Sequence, residues 1–104
     1  MKKLDNQGRL LISRDLLKLV KFEPPCDLLL IKNENTNCFY LMQANSSHRF
    51  GKRIAYKLHM DSKGRIFFKS FMMDIGKDCF STSFVICAVL AEDGNDRIEI
   101  ELVP

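Results

Sequence analysis

A chain of 104 residues with 46% apolar and 28% charged content has the make-up of one globular domain, which excludes a disordered or low-complexity protein. Such a chain buries roughly two thirds of its unfolded surface, enough for a core without staples, and its longest apolar runs, such as 84–91, are far too short to span a bilayer. The net charge of +3 is uneven: residues 1–21 carry +4 and 51–77 carry +5, against −1 for 22–50 and −5 for 78–104.

In chain order, Met1–Leu4 reads as a short strand and Asp5–Gly8 as a turn, with Asp at its start and Gly supplying positive φ. Arg9–Ile12 is the returning strand. Ser13 is a good N-cap, Asp15 suits a first helical turn, and Leu16, Leu19 and Val20 fall at helical spacing. Lys18 and Lys21 suit the end of that helix, and Pro24-Pro25 should stop it. Asp27–Lys32 and Cys38–Gln43 read as strands around a polar turn at 33–37, and 44–51 reads as a linker.

The order then recurs. Lys52–Met60 reads as a strand, Asp61–Gly64 as a turn and Arg65–Phe68 as a second strand. Ser70 is expected to cap a short helix running to Ile75, with Gly76 ending it. Two more strands, Thr82–Leu90 and Arg97–Leu102, flank a hairpin turn at 92–96. In the last strand Ile98, Ile100 and Leu102 alternate with Arg97, Glu99 and Glu101, so one face should be buried and the other wet.

The recurrence extends to residues. Leu4-Asp5-Asn6-Gln7-Gly8-Arg9-Leu10-Leu11-Ile12 returns fifty-six positions later as Met60-Asp61-Ser62-Lys63-Gly64-Arg65-Ile66-Phe67-Phe68. The shared pattern is an apolar residue, Asp-x-x-Gly-Arg, then three apolar residues. One domain is therefore expected, made of a first repeat at 1–43, the linker and a second repeat at 52–104. Neither repeat has enough core or covered sheet edge to stand alone, so the two should pair with pseudo-twofold symmetry and close a barrel.

Two copies of this motif in the same order of elements resemble the AbrB/SpoVT superfamily of transition-state regulators, and the tandem arrangement looks like its MraZ branch. The resemblance covers nearly the whole chain. It implies a mainly β fold of two ββαββ-like halves, a swapped-hairpin barrel with two short helices that binds double-stranded DNA to regulate transcription. Arg9 and Arg65 match the motif arginine. Lys2 and Lys3 occupy the basic stretch before the first aspartate, Lys57 lies near the equivalent place in the second repeat, and Lys18 matches a helix position that is often basic. Arg14, Lys63 and Lys69 complete the basic set. Three departures stand out: Ser13 and Lys69 replace a usual proline, Leu17-Lys18 and Met73-Asp74 replace paired basic residues, and there is no room for the extra helices of the MraZ branch.

Arginine suits DNA because its planar fork contacts phosphate or guanine edges, while lysines add salt-sensitive phosphate contacts. The competing role for Arg9 and Arg65 is an ion pair with Asp5 and Asp61 that closes each turn, and the two roles are compatible. Asp5, Gly8, Asp61 and Gly64 read as structural. Lysines on a solvated face need no function. Phe67, Phe68, Phe71, Phe80 and Phe84 read as core rather than as a base-stacking platform.

Cys26, Cys38, Cys79 and Cys87 show no zinc-ligand spacing; their even number allows two disulfides, and with no export signal the expectation is reduced thiols packed as small hydrophobes. His48 and His59 make no metal or catalytic grouping by spacing, and no acid, base and nucleophile converge, so neither a cofactor nor an enzyme is expected. Lys2 and Lys3 have no apolar run behind them, so the N-terminus does not read as a secretory signal. The expectation is a cytoplasmic DNA-binding protein, nucleoid-associated and possessing a barrel that could also serve as an antitoxin-like or other protein–protein module or as a homo-oligomer.

Overall fold

The computed structural model describes residues 1–32, 38–44, 54–90, 92 and 96–103. In chain order these form β1 (Arg9–Leu11), α1 (Arg14–Val20), β2 (Cys26–Lys32), β3 (Cys38–Gln43), β4 (Ile54–Met60), β5 (Arg65–Phe67), α2 (Lys69–Asp74), β6 (Ser83–Val89) and β7 (Arg97–Val103). The expected turn at 33–37, nearly all of the linker, Lys52, His48 and the middle of the last hairpin turn lie outside the described residues. The fold is mainly β: the strands make one antiparallel sheet, ordered β1-β5-β4-β2-β3-β7-β6 and curled into a half-barrel.

The short strands β1 and β5 lie side by side, with Leu10 opposite Ile66. These two residues are fifty-six positions apart, the spacing of the repeat. Other hydrogen bonds come in pairs related by the same shift. Ile12 N–H donates to Gly64 C=O, and Phe68 N–H donates to Gly8 C=O, each at 2.9 Å. Leu28 of β2 faces Leu58 of β4, while Phe84 of β6 makes an isolated bridge with Lys2. The strand expected at Met1–Leu4 is thus reduced to that bridge.

Ser13 caps α1 as its residue type predicts, its Oγ accepting from Leu16 N–H at 3.3 Å. The helix stops before the prolines are reached. Lys21 takes the left-handed conformation (φ 61°), and its N–H turns back to the carbonyls of Leu17 and Lys18. The buried stripe is Leu17 and Val20 with Leu16 at its margin, whereas Leu19, expected inside, is exposed. The difference arises from docking, since α1 lies against β6 and β7 and that contact selects the inward face.

The second helix departs further. It begins at Lys69, so Ser70 sits inside it and caps nothing. Phe68 holds the N-cap position without a side-chain hydrogen bond, since a phenyl ring has no acceptor to offer, and its ring is buried in the core instead. Gly76 follows the helix with φ 72°, as expected of a terminating glycine.

The core gathers Leu10, Ile12, Leu28, Leu30, Leu41, Met60, Ile66, Met72, Ile98 and Ile100 around an aromatic group. Phe71 is its hub: its ring meets Phe39 edge-on at 5.1 Å, Tyr56 at 5.1 Å and Phe68 at 5.8 Å. Phe68, Phe71 and Phe84 are buried as expected, but Phe67 and Phe80 are exposed. Phe67 follows Ile66 by one residue in a strand, so it must face outward when Ile66 faces in. In β7 the alternation holds, with Ile98, Ile100 and Leu102 buried. No disulfide joins the four cysteines; Cys38 and Cys79 are buried as small apolar groups, Cys26 is half-buried and Cys87 is exposed. Burial raises the Cys26 thiol above its usual range, and burial together with Glu99 raises Cys87, so neither is an activated thiolate.

The Phe71 hub yields a direct test. Phe71→Ala should cost about 3–5 kcal/mol, a large share of a small domain's stability, and chemical denaturation should show it as a lowered midpoint with an unchanged slope.

Candidate functional site

Each Asp-x-x-Gly-Arg segment folds into the same turn. Asp5 N–H donates to Arg9 C=O and Gly8 N–H to Asp5 C=O, at 2.9 and 3.0 Å; Asp61, Arg65 and Gly64 repeat this at 3.0 and 3.0 Å. Asp5 Oδ1 accepts from the N–H groups of Gln7 and Arg9, and Asp61 Oδ1 from those of Lys63 and Arg65. The other carboxylate oxygen takes Arg9 Nε in one turn and Arg65 Nε in the other, at 2.8 Å in both. The motif is therefore a closed unit: a short side chain pins the loop and its arginine locks the carboxylate in place.

The glycines complete it. Both have φ of 79°, and a Cβ built on Gly64 would stand 3.0 Å from the Ile12 carbonyl oxygen, that on Gly8 2.7 Å from Lys69 Cβ. Each turn is thus pressed against the start of the other repeat's helical segment.

The ion-pair role for Arg9 and Arg65 is consequently present in the structure. Their side chains remain 18% and 30% exposed, so each is half-sunk rather than buried. Cross-strand register decides where they stand. Arg9 is opposite Phe67 and Arg65 opposite Leu11, so all four alternate with the buried Leu10 and Ile66 and share the outer face of the β1–β5 ribbon. An antiparallel pair of matching strands has a local twofold axis between Leu10 and Ile66, and the two arginines are diagonal across it, about 7–8 Å apart at Cα. The Arg9 guanidinium lies over the Phe67 ring, 5.8 Å from its centroid.

The other basic residues distribute as follows. Lys2 is tied to the ribbon, its Nζ donating to Leu11 C=O at 2.9 Å. Lys69 packs its stem against the first turn at Gly8, and Lys63 lies in the second turn. Lys3 is exposed just before Leu4. Arg14 opens α1 directly after β1 and Lys18 lies in its last turn, both exposed. Lys57 is exposed on β4 across from Leu29, upstream of the second turn. Of the helix positions that carry paired basic residues in the resembled family, Leu17 is buried while Met73 and Asp74 are exposed.

Leu11 and Phe67, the latter expected in the core, stand about half exposed between the arginines. The signal was present in the i, i+2 spacing from Arg9 to Leu11 and from Arg65 to Phe67, which puts each pair on one strand face.

His59 Nδ1 lies 2.8 Å from Asp27 Oδ1 on the exposed face of β4 and β2. Among the described residues, no three His, Cys, Asp or Glu side chains are grouped to hold a metal, and no helix is long and apolar enough to cross a membrane.

Comparison with family models, characterised proteins and solved structures returns no match. The resemblance rests on the residues quoted above.

Two expectations follow from the turns. Gly64→Ala should cost about 1–3 kcal/mol, since an L-residue is strained at this φ and the obstructing atom is backbone; thermal unfolding measures it. The Asp5 and Asp61 carboxyls are held below the ordinary aspartate value of 3.8, first by the backbone N–H of Arg9 or Arg65 and then by that residue's side chain. A depressed folded pKa adds stability above the unfolded value and surrenders it as pH falls through the folded one. Melting temperature should therefore drop below about pH 4, and Asp5→Asn/Asp61→Asn should flatten that dependence.

Proposed function

We propose that this protein binds double-stranded DNA through the outer face of the β1–β5 ribbon, as a small transcriptional regulator of the AbrB/SpoVT kind. The observation that carries the reading is the register of that ribbon: it sets Arg9 and Arg65 on one face, diagonal across a local twofold axis, each fixed by its own aspartate. Nε is committed to the carboxylate, and the arginine is thereby held in one orientation, which lowers the ordering cost of a phosphate or base contact. Lys3, Lys63 and Lys69 add exposed charge beside the turns.

The finer architecture belongs to the same reading. Pairing of β1 with β5, of β2 with β4, and of Phe84 with Lys2 exchanges strands between the two sequence repeats. This supports two interleaved ββαββ-like halves of the swapped-hairpin type. Two arginines related by a local twofold match the dyad relation between the two strands of a duplex.

A protein–protein role is the second reading. It is favoured by α2, where Asp74 stands at the counterpart of Lys18 and Met73 is exposed, an acidic and apolar surface unsuited to phosphate.

Fluorescence anisotropy against mixed genomic duplexes separates the two. For about five phosphate contacts, affinity should fall by two to three orders of magnitude between about 50 and 200 mM salt. Lys3→Glu/Lys63→Glu should abolish binding without changing the melting temperature, whereas Arg9→Ala also opens a turn and is the poorer probe. Absence of binding at low salt would favour the protein–protein reading.

A further inference from the structure

The two turns are copies in backbone and differ in side chain. Gln7 and Lys63 stand fifty-six positions apart, the shift that relates the repeats. Each gives its N–H to the aspartate of its turn, Gln7 to Asp5 Oδ1 and Lys63 to Asp61 Oδ1, at 2.9 Å in both. The same oxygen accepts from the arginine two residues on, Arg9 at 2.9 Å and Arg65 at 3.0 Å. Tip and arginine are thus hinged on one carboxylate, so a surface met by the arginine lies within reach of the tip residue. Both tip side chains are exposed. Their neighbours Asn6 and Ser62 are exposed as well, with shorter side chains.

Charge is placed differently at the two turns. Lys69, from the other repeat, stands beside the first turn at Gly8. Its counterpart by the shift is Ser13, whose hydroxyl is committed to capping α1. The first turn therefore has a lysine on its flank and a neutral amide at its tip, whereas the second has its lysine at the tip. These tip groups suit different bases. In the major groove a glutamine amide pairs with the N6 donor and N7 acceptor of adenine. A lysine carries donors only, so it suits the O6 and N7 acceptors of guanine.

Register sets the spacing of the two tips. Arg9 is opposite Phe67 and Arg65 opposite Leu11, an offset of two residues along the ribbon. Each tip lies no more than two residues further out. The tips are therefore at most about 20 Å apart along the strands, the rise of about six base pairs. Both fall within one turn of a duplex.

Taking the DNA-binding reading as its basis, we infer that the duplex selected by this face is an imperfect palindrome, with adenine read by Gln7 in one half and guanine read by Lys63 in the other. A twofold pair of identical turns would require matching halves. One chain that holds two unlike copies does not.

The test is selection by the whole protein from duplexes carrying about ten randomised central base pairs, at about 50 mM salt, followed by anisotropy on the enriched duplex. The unmodified protein should enrich unequal halves, and exchanging either read base pair should weaken binding about tenfold. Gln7→Lys should change the adenine half to guanine, and Lys63→Gln the guanine half to adenine, so that each variant selects a symmetric site. Should either variant fail to fold, the unmodified protein answers alone: 7-deazaadenine and 7-deazaguanine at the two read positions should each weaken it severalfold. Equal halves for the unmodified protein, unequal halves that neither variant changes, or indifference to both deaza bases overturns the inference while DNA binding stands. Salt-dependent binding with no enriched sequence does the same. Failure to bind any duplex at that salt overturns the DNA-binding reading and the inference with it.

Discussion

The pairing of β1 with β5 is the constraint on which the molecule depends. Each strand has three residues, too few to persist alone, and each finds its partner in the other sequence repeat. Leu10 and Ile66 seal the underside of that seam against Met60 and the rest of the core, and the Ile12–Gly64 and Phe68–Gly8 hydrogen bonds tie down its ends. Without the cross-pairing neither turn would have a strand to leave from, and the outward side chains would share no face.

The same seam joins structure to charge. An arginine held by an aspartate is partly neutralised, yet it is also immobilised, and immobilised cations are the useful ones where geometry matters. The ion pairs therefore tie Arg9 and Arg65 to their turns, whereas Lys3 and Lys63 carry exposed charge without that structural duty. Repetition is not symmetry throughout. Ser13 caps α1 while its counterpart Lys69 begins α2, and the two helices consequently present different residues to solvent.

Charge is segregated over the sheet as well as along the chain. Basic residues collect at the turns and β1–β5, while Glu99 and Glu101 mark the outer face of β7.

Read alone, the residues determined local matters. The paired Asp-x-x-Gly-Arg turns, the Ser13 cap, the bounds of β3 and the in–out alternation of β7 were all legible, because each depends on near neighbours: a side chain reaching its own backbone, a glycine at positive φ, a period of two. The tertiary structure alone decided the rest. Leu17 rather than Leu19 faces the core because α1 docks on β6 and β7; Phe68 displaces Ser70 from the cap because its ring is needed inside; Phe67 is exposed because Ile66 opposite Leu10 fixes the strand's inward face. Those outcomes turn on which distant segment lies opposite, and a periodicity states only that a face exists, not what will cover it.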